Sequence, residues 1–268
     1  MLKALIFDVD GTLAETEDLH RQAFNRAFSE LGLDWHWSPE LYADLLTVMG
    51  GKERLAHYVA TEHGEPDAER RAQMSEIHDR KTGIYGDLVT KGALELRPGI
   101  ARLVGEAKRA GLLLAVASTT SRPNVDALLA VNFPEGSPFD VVACGDEAER
   151  KKPHPDVFVL ALTRLGVAPG EAIAFEDSVA GIRSALDAGL PVVATRSRYT
   201  GGHSLEGAFS AVSDLGEPGT PHTHLSGIPW AGGVVTLAGL AAWHGRAGRP
   251  PSPAGGTASP RREDRGRQ

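Results

Sequence analysis

The sequence predicts a doubly wound α/β fold, in which a parallel, Rossmann-like sheet has helices on both faces and an all-helical domain inserted near its start. Short apolar runs of strand length alternate with helical patterns, which is typical of β-α-β units. One long stretch, residues 16–89, breaks this alternation, because it has helical periodicity and no convincing strand. These observations favour one sheet domain interrupted by a helical one.

The predicted strands do not alternate between apolar and polar residues, as expected of strands that are buried on both faces of a parallel sheet. They cover residues 4–7, 112–117, 141–143, 172–175 and 192–194. The helical patterns that separate them cover residues 100–110, 124–130, 156–165 and 179–188. Glycine and proline mark the turns, as at Arg97-Pro98-Gly99.

The inserted stretch predicts several amphipathic helices, the first with apolar residues at 19, 23, 24, 27, 28 and 31. Ser38 and Pro39 suit the N-cap and first turn of a second helix, and further helices follow at 52–62 and 67–82. A domain inserted after the first strand lies over the carboxyl ends of the strands, where open α/β sheets bind ligands. We expect the sheet domain to comprise residues 1–15 and 90–230, the helical domain 16–89, and a C-terminal helix 231–244.

The charge of the 268-residue chain is unevenly distributed. Residues 245–268 contain six Arg and two acids and balance to +4, so the net charge of −7 leaves −11 on residues 1–244. We predict that this tail is disordered, because alanine is its only aliphatic residue and glycine and proline are frequent. The alternative is an anion-binding arm. The acidic body disfavours nucleic acid and anionic membranes as partners.

Other compositional features point to an ordinary cytoplasmic protein, with a monomer as the default expectation. The single cysteine, Cys144, excludes a disulfide scaffold and a cysteine-based zinc site, and we interpret it as a buried, inert side chain. The apolar start is too short for a signal peptide, and no apolar run approaches 18 residues. His222 and His224 are spaced like a ligand pair, but their Gly/Pro-rich surroundings favour a surface loop.

Two carboxylates, Asp8 and Asp10, directly follow the first predicted strand. Side chains two residues apart on an extended chain point the same way, and Gly11 permits a sharp turn of the chain after the pair. Converging carboxylates are costly unless a cation or a proton separates them. The alternative is a solvated turn, since Asp and Gly favour turns. The buried strand before this pair, and further acids at another strand end, favour a functional site.

Three other strand ends carry complementary groups. Residues 118–121 are all Ser or Thr, so the turn could bind an anion at a helix start or simply cap that helix. Lys152 precedes a proline after the third strand. Glu176 and Asp177 follow the fourth strand, where they could cap a helix, hold a metal ion, or both.

The order and spacing of these groups resemble the four motifs of the haloacid dehalogenase-like (HAD) phosphohydrolases, over about residues 1–215. The matching residues are Asp8-x-Asp10-Gly11-Thr12, Ser118, Lys152-Pro153 and Glu176-Asp177. The inserted region is similar to that family's helical cap domain of the first type. Residues 49–55 (Met-Gly-Gly-Lys-Glu-Arg-Leu), together with residues 118–122 and 237–244, most resemble its CbbY branch.

The resemblance implies a Mg²⁺-dependent sugar-phosphate phosphatase that works through an aspartyl-phosphate intermediate. For the CbbY branch it implies removal of a phosphate from xylulose 1,5-bisphosphate, a Rubisco inhibitor, in support of carbon fixation. A β-phosphoglucomutase-like isomerase remains open, because it shares the same motifs, as does a phosphoglycolate phosphatase. A non-catalytic binding protein on this fold is disfavoured, because Asp8 and Asp10 are both present.

The resemblance also implies roles for individual residues. Asp8 would be the nucleophile and Asp10 the general acid and base, while Ser118, the Thr119 N–H and Lys152 neutralise the phosphoryl oxygens. Magnesium would be bound by Asp8, the Asp10 carbonyl and Asp177, with Glu176 as a direct or indirect ligand. The residues expected to bind substrate are Glu17, His20, Gly50, Gly51, Lys52, Arg54, Thr119 and Thr120.

Among these, Lys52 and Arg54 suit a second phosphate group, and Glu17 and His20 could reach sugar hydroxyls. The alternative interpretation of Lys52 or Arg54, taken singly, is a solvated surface charge with no role in binding. The alternative interpretation of His20 is a histidine with a purely structural role.

Overall fold

The computed structural model of the protein describes residues 1–92 and 94–247. Within these residues, one mostly parallel sheet has the strand order β3-β2-β1-β4-β5-β6-β7, and only β7 is antiparallel to its neighbour. The strands are β1 Ala4–Phe7, β2 Leu113–Ala117, β3 Val141–Ala143, β4 Ala172–Glu176, β5 Val192–Thr195, β6 Ser210–Val212 and β7 His224–Gly227. The helices are α1 Glu17–Glu30, α2 Pro39–Leu45, α3 Gly51–His63, α4 Ala68–Thr90, α5 Ile100–Arg109, α6 Arg122–Asn132, α7 Asp156–Leu165, α8 Val179–Asp187 and α9 Leu237–Ala247. The predicted α/β class is confirmed.

The sheet is buried on both faces, as the unbroken apolar strands predict. One core cluster covers one face and extends into the inserted helices, and a second covers the opposite face. β1 lies between β2 and β4, with Phe7 level with Val116 and Phe175. The direction in which the chain winds reverses beside β1, so its carboxyl end lies at the switch point where α/β sheets bind ligands.

Helices α1–α4 occupy the region where the sequence predicts the inserted domain. Their core is aromatic: Phe24, Phe28, Tyr42 and Tyr58 all contact Trp37. Ser38 caps α2 as predicted, since its hydroxyl accepts the Leu41 N–H. The linkers that join these helices to the sheet domain lie side by side, with a β-bridge between Ala14 and Leu96. We call α1–α4 the cap.

Several sequence predictions are wrong in detail. Strands β6 and β7 were not predicted, and α9 extends to Ala247 rather than ending at His244. The rest of the predicted disordered tail, residues 248–268, lies outside the described residues. His222 is buried rather than on the surface, and its main-chain N–H donates to the Gly233 carbonyl (2.8 Å).

The expectations for Cys144 and His224 agree with the structure. Cys144 is a free, buried thiol, and burial raises its pKa to about 12, which disfavours the reactive thiolate. His224 is exposed. Among the described helices, we find none whose length and hydropathy would let it cross a membrane.

Candidate active site

Asp8 and Asp10 leave the carboxyl end of β1 in the middle of the sheet. The Asp8 N–H donates to the carbonyl of Phe175 on β4 (3.0 Å), so the ladder continues one residue beyond the strand. Gly11 then turns the chain with a φ of +82°, and a Cβ there would lie 2.1 Å from Asp177 Oδ2. Only glycine fits this turn, since both the backbone conformation and the space forbid a side chain.

Lys152 joins Asp8 to Glu176. Its ammonium lies 2.6 Å from Asp8 Oδ1, 2.5 Å from Glu176 Oε1 and 3.0 Å from the Ala117 carbonyl, and all three side chains are buried. Burial alone would lower the pKa of Lys152, but the charges of Asp8 and Glu176 raise it overall. Lys152 is therefore a fixed cation at this site.

The carboxylates keep raised pKa values in spite of this cation. Burial, opposed by Lys152 and reinforced by Asp10, raises the pKa of Asp8 to about 6. Burial, with the same opposition from Lys152, raises the pKa of Glu176 to about 7. The pKa of Asp177 is raised well above its usual range by burial and then by the charges of Glu176 and Asp8. When all three carboxylates are ionised, the site holds more negative charge than Lys152 neutralises.

This excess charge fits a hard metal ion. Oxygen atoms of Asp8, Glu176 and Asp177 lie within 4.8 Å of one another, and among the described residues this is the one group of three or more potential metal ligands. Three buried carboxylates provide the oxygen donors that Mg²⁺ prefers, and a divalent ion would offset their mutual repulsion. The residues present therefore fit a divalent metal ion.

The carboxylate of Asp10 has different partners, all from the cap and its linker. Asp10 Oδ1 accepts the Thr16 hydroxyl (2.5 Å) and lies 3.1 Å from His20 Nε2, and His20 Nδ1 is 2.8 Å from the ammonium of Lys81. Since an ammonium group only donates, Nδ1 is an acceptor and Nε2 carries the proton. Burial, and then the charge of Lys81, lower the pKa of His20 well below its usual range. A neutral His20 therefore donates to Asp10.

Thr16 and Lys81 are components of the site that sequence reasoning missed. Thr16 is the N-cap of α1, yet its hydroxyl makes no cap bond and donates to Asp10 instead. Lys81 is a buried lysine of α4, with its ammonium about 5 Å above the rings of Phe24 and Tyr85. The sequence held a signal for it, because position 81 is in phase with the apolar positions 77, 84 and 85 of the same helix.

One cavity of about 980 Å³ joins these groups between the cap and the sheet domain. The predicted site residues that line it are Asp8, Asp10, Glu17, His20, Gly50, Gly51, Arg54, Thr119, Thr120, Lys152 and Asp177. Ser118 and Glu176 are fully buried behind its wall, and the Ser118 hydroxyl accepts the Thr120 N–H (3.2 Å). The fold thus brings together all but one of the predicted residues.

Lys52 is the exception. Its side chain is 61% exposed and does not line the cavity, and its ammonium lies 3.8 Å from Asp146 of the sheet domain. Arg54 is the buried cation of this segment, and it lines the cavity close to Glu17. The cap cation that faces the cavity from this segment is therefore Arg54, and Lys52 contacts the sheet domain.

The loop between β5 and β6 forms a further wall of the cavity. This loop belongs to none of the four motifs identified in the sequence. Ser197, Tyr199, Thr200 and His203 line the cavity. Ser197 and Thr200 are buried and joined through their hydroxyls (2.9 Å), and the Tyr199 hydroxyl donates to Asp18 of α1 (3.3 Å). The loop therefore connects the carboxyl end of the sheet, where the acidic residues lie, to the cap.

Comparison with known families agrees with this arrangement. The chain matches the haloacid dehalogenase-like hydrolase family over residues 2–189. The chain belongs to this family. In this HAD-like hydrolase, the four strand-end motifs predicted from the sequence fall within the matched region.

The CbbY proteins are among its relatives, which confirms the predicted branch. Protein CbbY of Rhodobacter capsulatus is 50% identical over 82% of this chain and 96% of its own length. The crystal structure of CbbY from Rhodobacter sphaeroides in complex with phosphate is 47% identical, has a TM-score of 0.76, and aligns over 80% of this chain and 95% of that one. A mutant of that protein is also known in complex with xylulose-(1,5)bisphosphate, at the same identity and TM-score.

A more distant structure is that of a putative β-phosphoglucomutase from Thermotoga maritima. It is 27% identical, with a TM-score of 0.56, and aligns over 79% of this HAD-like hydrolase and 94% of its own chain. The chain is thus closer to the CbbY structures in both sequence and fold.

Proposed function

We propose that this HAD-like hydrolase is a Mg²⁺-dependent phosphatase that converts xylulose 1,5-bisphosphate to xylulose 5-phosphate. The observation that carries the proposal is the pair of carboxylates after β1: Asp8 contacts Lys152, while Asp10 is held toward the cap by Thr16 and His20. The high identity to a CbbY protein whose mutant binds this bisphosphate supports the choice of substrate.

In the first half-reaction, an oxygen of Asp8 attacks the phosphorus of the 1-phosphate group and the bond to the sugar oxygen breaks. Asp10 gives its proton to the departing alkoxide; the raised pKa of Asp10, caused mainly by burial, favours its protonated form. Lys152 and the main-chain N–H of Thr119 stabilise the charge on the phosphoryl oxygens.

In the second half-reaction, water attacks the phosphorus of the aspartyl phosphate, and Asp10 accepts the proton of that water. The bond to Asp8 breaks, which releases inorganic phosphate and regenerates the carboxylate. Asp8, the Asp10 carbonyl and Asp177, with Glu176 adjacent, would bind the Mg²⁺. When bound, this ion offsets the repulsion between the phosphate and the carboxylates.

On the cap side, Glu17 is suited to bind a sugar hydroxyl, and Arg54 the phosphate that is not transferred. His20, expected from the sequence to reach the sugar, has both ring nitrogens engaged by Asp10 and Lys81 and is therefore suited to position Asp10 instead. We also infer a cytoplasmic, monomeric enzyme whose partner is the small sugar phosphate, and a role in carbon fixation through removal of a Rubisco inhibitor.

The proposal is tested by phosphate release from a substrate panel, with Mg²⁺ and with EDTA. The panel contains xylulose 1,5-bisphosphate, xylulose 5-phosphate, phosphoglycolate and β-glucose 1-phosphate, the last also assayed for glucose 6-phosphate. We expect a preference for the bisphosphate and no turnover with EDTA. Asp8→Asn should lower kcat by at least about 10³-fold. Asp44→Asn, an exposed acid of the cap, is the matched control.

Other outcomes separate the alternatives. Glucose 6-phosphate as the main product would indicate the isomerase, and a preference for phosphoglycolate would indicate the other phosphatase. Full activity of Asp8→Asn would exclude the aspartyl mechanism altogether.

A further inference from the structure

Tyr42 of α2 lies behind the cavity wall, between two residues that line it. It is fully buried and does not itself line the cavity. Its hydroxyl oxygen lies 2.8 Å from Glu17 Oε2 and 2.9 Å from Arg54 Nη1. The hydroxyl of Tyr42 can therefore affect a bound molecule through Glu17 or Arg54, whereas its ring contacts Tyr199, which also lines the cavity (5.8 Å between ring centroids).

The direction of these hydrogen bonds is fixed. A guanidinium only donates, so Arg54 donates to the hydroxyl oxygen, and the single hydroxyl proton goes to Glu17. Burial raises the pKa of Tyr42 well above its usual range, which keeps that proton in place. The hydroxyl therefore separates a cation from an anion, and Arg54 Nη1 stays 3.8 Å from the Glu17 carboxylate.

Two further contacts hold the guanidinium of Arg54. Its Nε donates to the Leu45 carbonyl (3.3 Å), and its central carbon lies 5.1 Å above the ring of Tyr42. With these groups in place, the guanidinium cannot close onto Glu17 as a paired, bidentate ion pair. Its charge remains available to an anion in the cavity.

We propose that Tyr42 is a positioning residue that sets the affinity for the second, non-transferred phosphate of a sugar bisphosphate, by holding Arg54 apart from Glu17. The inference rests on the proposed function and extends it to a residue outside every motif. Without the hydroxyl, Arg54 pairs directly with Glu17, and less positive charge faces the distal phosphate.

The test is Tyr42→Phe, which keeps the ring and removes only the hydroxyl. We expect the KM for xylulose 1,5-bisphosphate to rise about tenfold, the size of a lost hydrogen bond to a charged group, with kcat changed less than threefold. The KM for p-nitrophenyl phosphate, which has no second phosphate, should change less than twofold. Tyr58→Phe is the control, because Tyr58 packs against the same Trp37 ring and no hydrogen bond joins it to Glu17 or Arg54 within the described residues.

A double mutant tests whether Tyr42 acts through Arg54. Tyr42→Phe should have no further effect on the bisphosphate KM in an Arg54→Ala background. Additive losses, or equal losses on both substrates, would overturn the proposal and show a general structural role. Thermal melting of each variant checks that it is folded.

A competition assay separates this inference from the proposed function. Ribulose 1,5-bisphosphate is used to inhibit p-nitrophenyl phosphate hydrolysis, and its Ki should also rise about tenfold in Tyr42→Phe. An unchanged Ki would count against Tyr42. A wild-type enzyme that does not hydrolyse xylulose 1,5-bisphosphate, but shows this shift in Ki, would refute the proposed substrate and leave the role of Tyr42 intact.

Discussion

At the scale of single residues, Asp8 and Asp10 show how environment separates two identical side chains. They are two positions apart, yet Asp8 contacts the cation Lys152 within the sheet domain, whereas Asp10 accepts from Thr16 and a neutral His20. A cation beside a carboxylate favours its ionised form, which suits a nucleophile. Burial raises the pKa of Asp10, against the opposing hydrogen bond from Thr16, and a raised pKa favours the protonated form that a general acid needs.

Lys81 is predicted to assist the reaction at a cost in stability. In Lys81→Met, His20 loses the donor that fixes its tautomer, so kcat should fall on the order of tenfold, because the positioning of a general acid weakens. Burial lowers the pKa of Lys81 from 10.5 to about 8, so at pH 7 its charged form destabilises the fold, and this cost fades as pH rises from 8 to 10.5. Thermal melting at pH 7 should therefore show an equal or higher midpoint for Lys81→Met.

The matched control for this variant is Lys91→Met, an exposed lysine at the end of the same helix. It should alter neither kcat nor the melting midpoint. A fall in the midpoint of Lys81→Met together with unchanged kcat would contradict the assigned role of Lys81.

Lys52 and Arg54 allow a direct comparison within one segment. Arg54 is buried and lines the cavity, so Arg54→Ala should raise the KM for a sugar bisphosphate by more than about tenfold. Lys52 is exposed and pairs with Asp146 at 3.8 Å, so Lys52→Ala should change the KM less than about threefold. The KM of both variants is measured by steady-state kinetics. A larger increase in KM for Lys52→Ala than for Arg54→Ala would place the distal phosphate at Lys52.

At the scale of elements, helix α4 carries a buried histidine that should make the cap sensitive to acid. Burial, and then the charges of Lys81 and Lys52, lower the pKa of His78 to about 4, against the opposing effect of Asp79 and Asp146. Because this pKa lies below the value near 6.5 in the unfolded chain, the folded state binds fewer protons than the unfolded state between pH 4 and 6.5. Stability should therefore be full above pH 6.5 and fall between pH 6.5 and 4, by on the order of 2–3 kcal/mol.

This loss is measured as the difference between wild type and His78→Gln in urea unfolding at pH 7 and pH 4.5. Both proteins share the titration of the active-site carboxylates, which cancels in the difference. His57→Gln, on the exposed side of α3, is the control. Equal acid sensitivity of wild type and His78→Gln would show that His78 does not contribute.

The elements differ in how far the sequence predicts them. Strands β1–β5 are predictable, because burial on both faces makes them uniformly apolar, and the site residues at their ends follow directly from chain order. Strand β7 is not, because its residues are mostly exposed and polar. Thr16, Lys81 and Tyr42 were missed for a related reason. Lys81 and Tyr42 act through partners that are distant in the sequence, and no local pattern specifies those partners. Thr16 acts on Asp10, six residues away, from a position that is typical of a simple helix N-cap.

At the scale of the whole molecule, the net charge of −7 gives no hint of an anionic substrate. The charge that matters is local. Among the predicted residues lining the cavity, Lys152 and Arg54 supply positive charge, and Lys81 adds more. The buried acids Asp8, Glu176 and Asp177 could hold a metal ion, which would add further positive charge. A body with excess acids is therefore compatible with a sugar phosphate, provided that the metal ion accompanies it.

The same local charge predicts how the metal ion should affect the stability of the whole protein. An ion that binds only the folded state stabilises it by about 2.7 kcal/mol at a concentration of 100 times Kd, so Mg²⁺ should raise the melting midpoint by about 5–10 °C. Asp177→Asn removes one of three repelling carboxylates, so its midpoint in EDTA should exceed that of wild type, while its response to Mg²⁺ should largely disappear.

Differential scanning fluorimetry with EDTA and with increasing Mg²⁺ measures both effects. Asp87→Asn, an exposed acid of the cap, should melt like wild type in each condition. A wild-type response retained in Asp177→Asn would mean that Asp177 does not hold the ion. A lower midpoint for that variant in EDTA would mean that Asp177 stabilises the fold through contacts of its own. The predicted combination of a more stable metal-free variant and a lost Mg²⁺ response arises only if the carboxylates repel one another until a cation joins them.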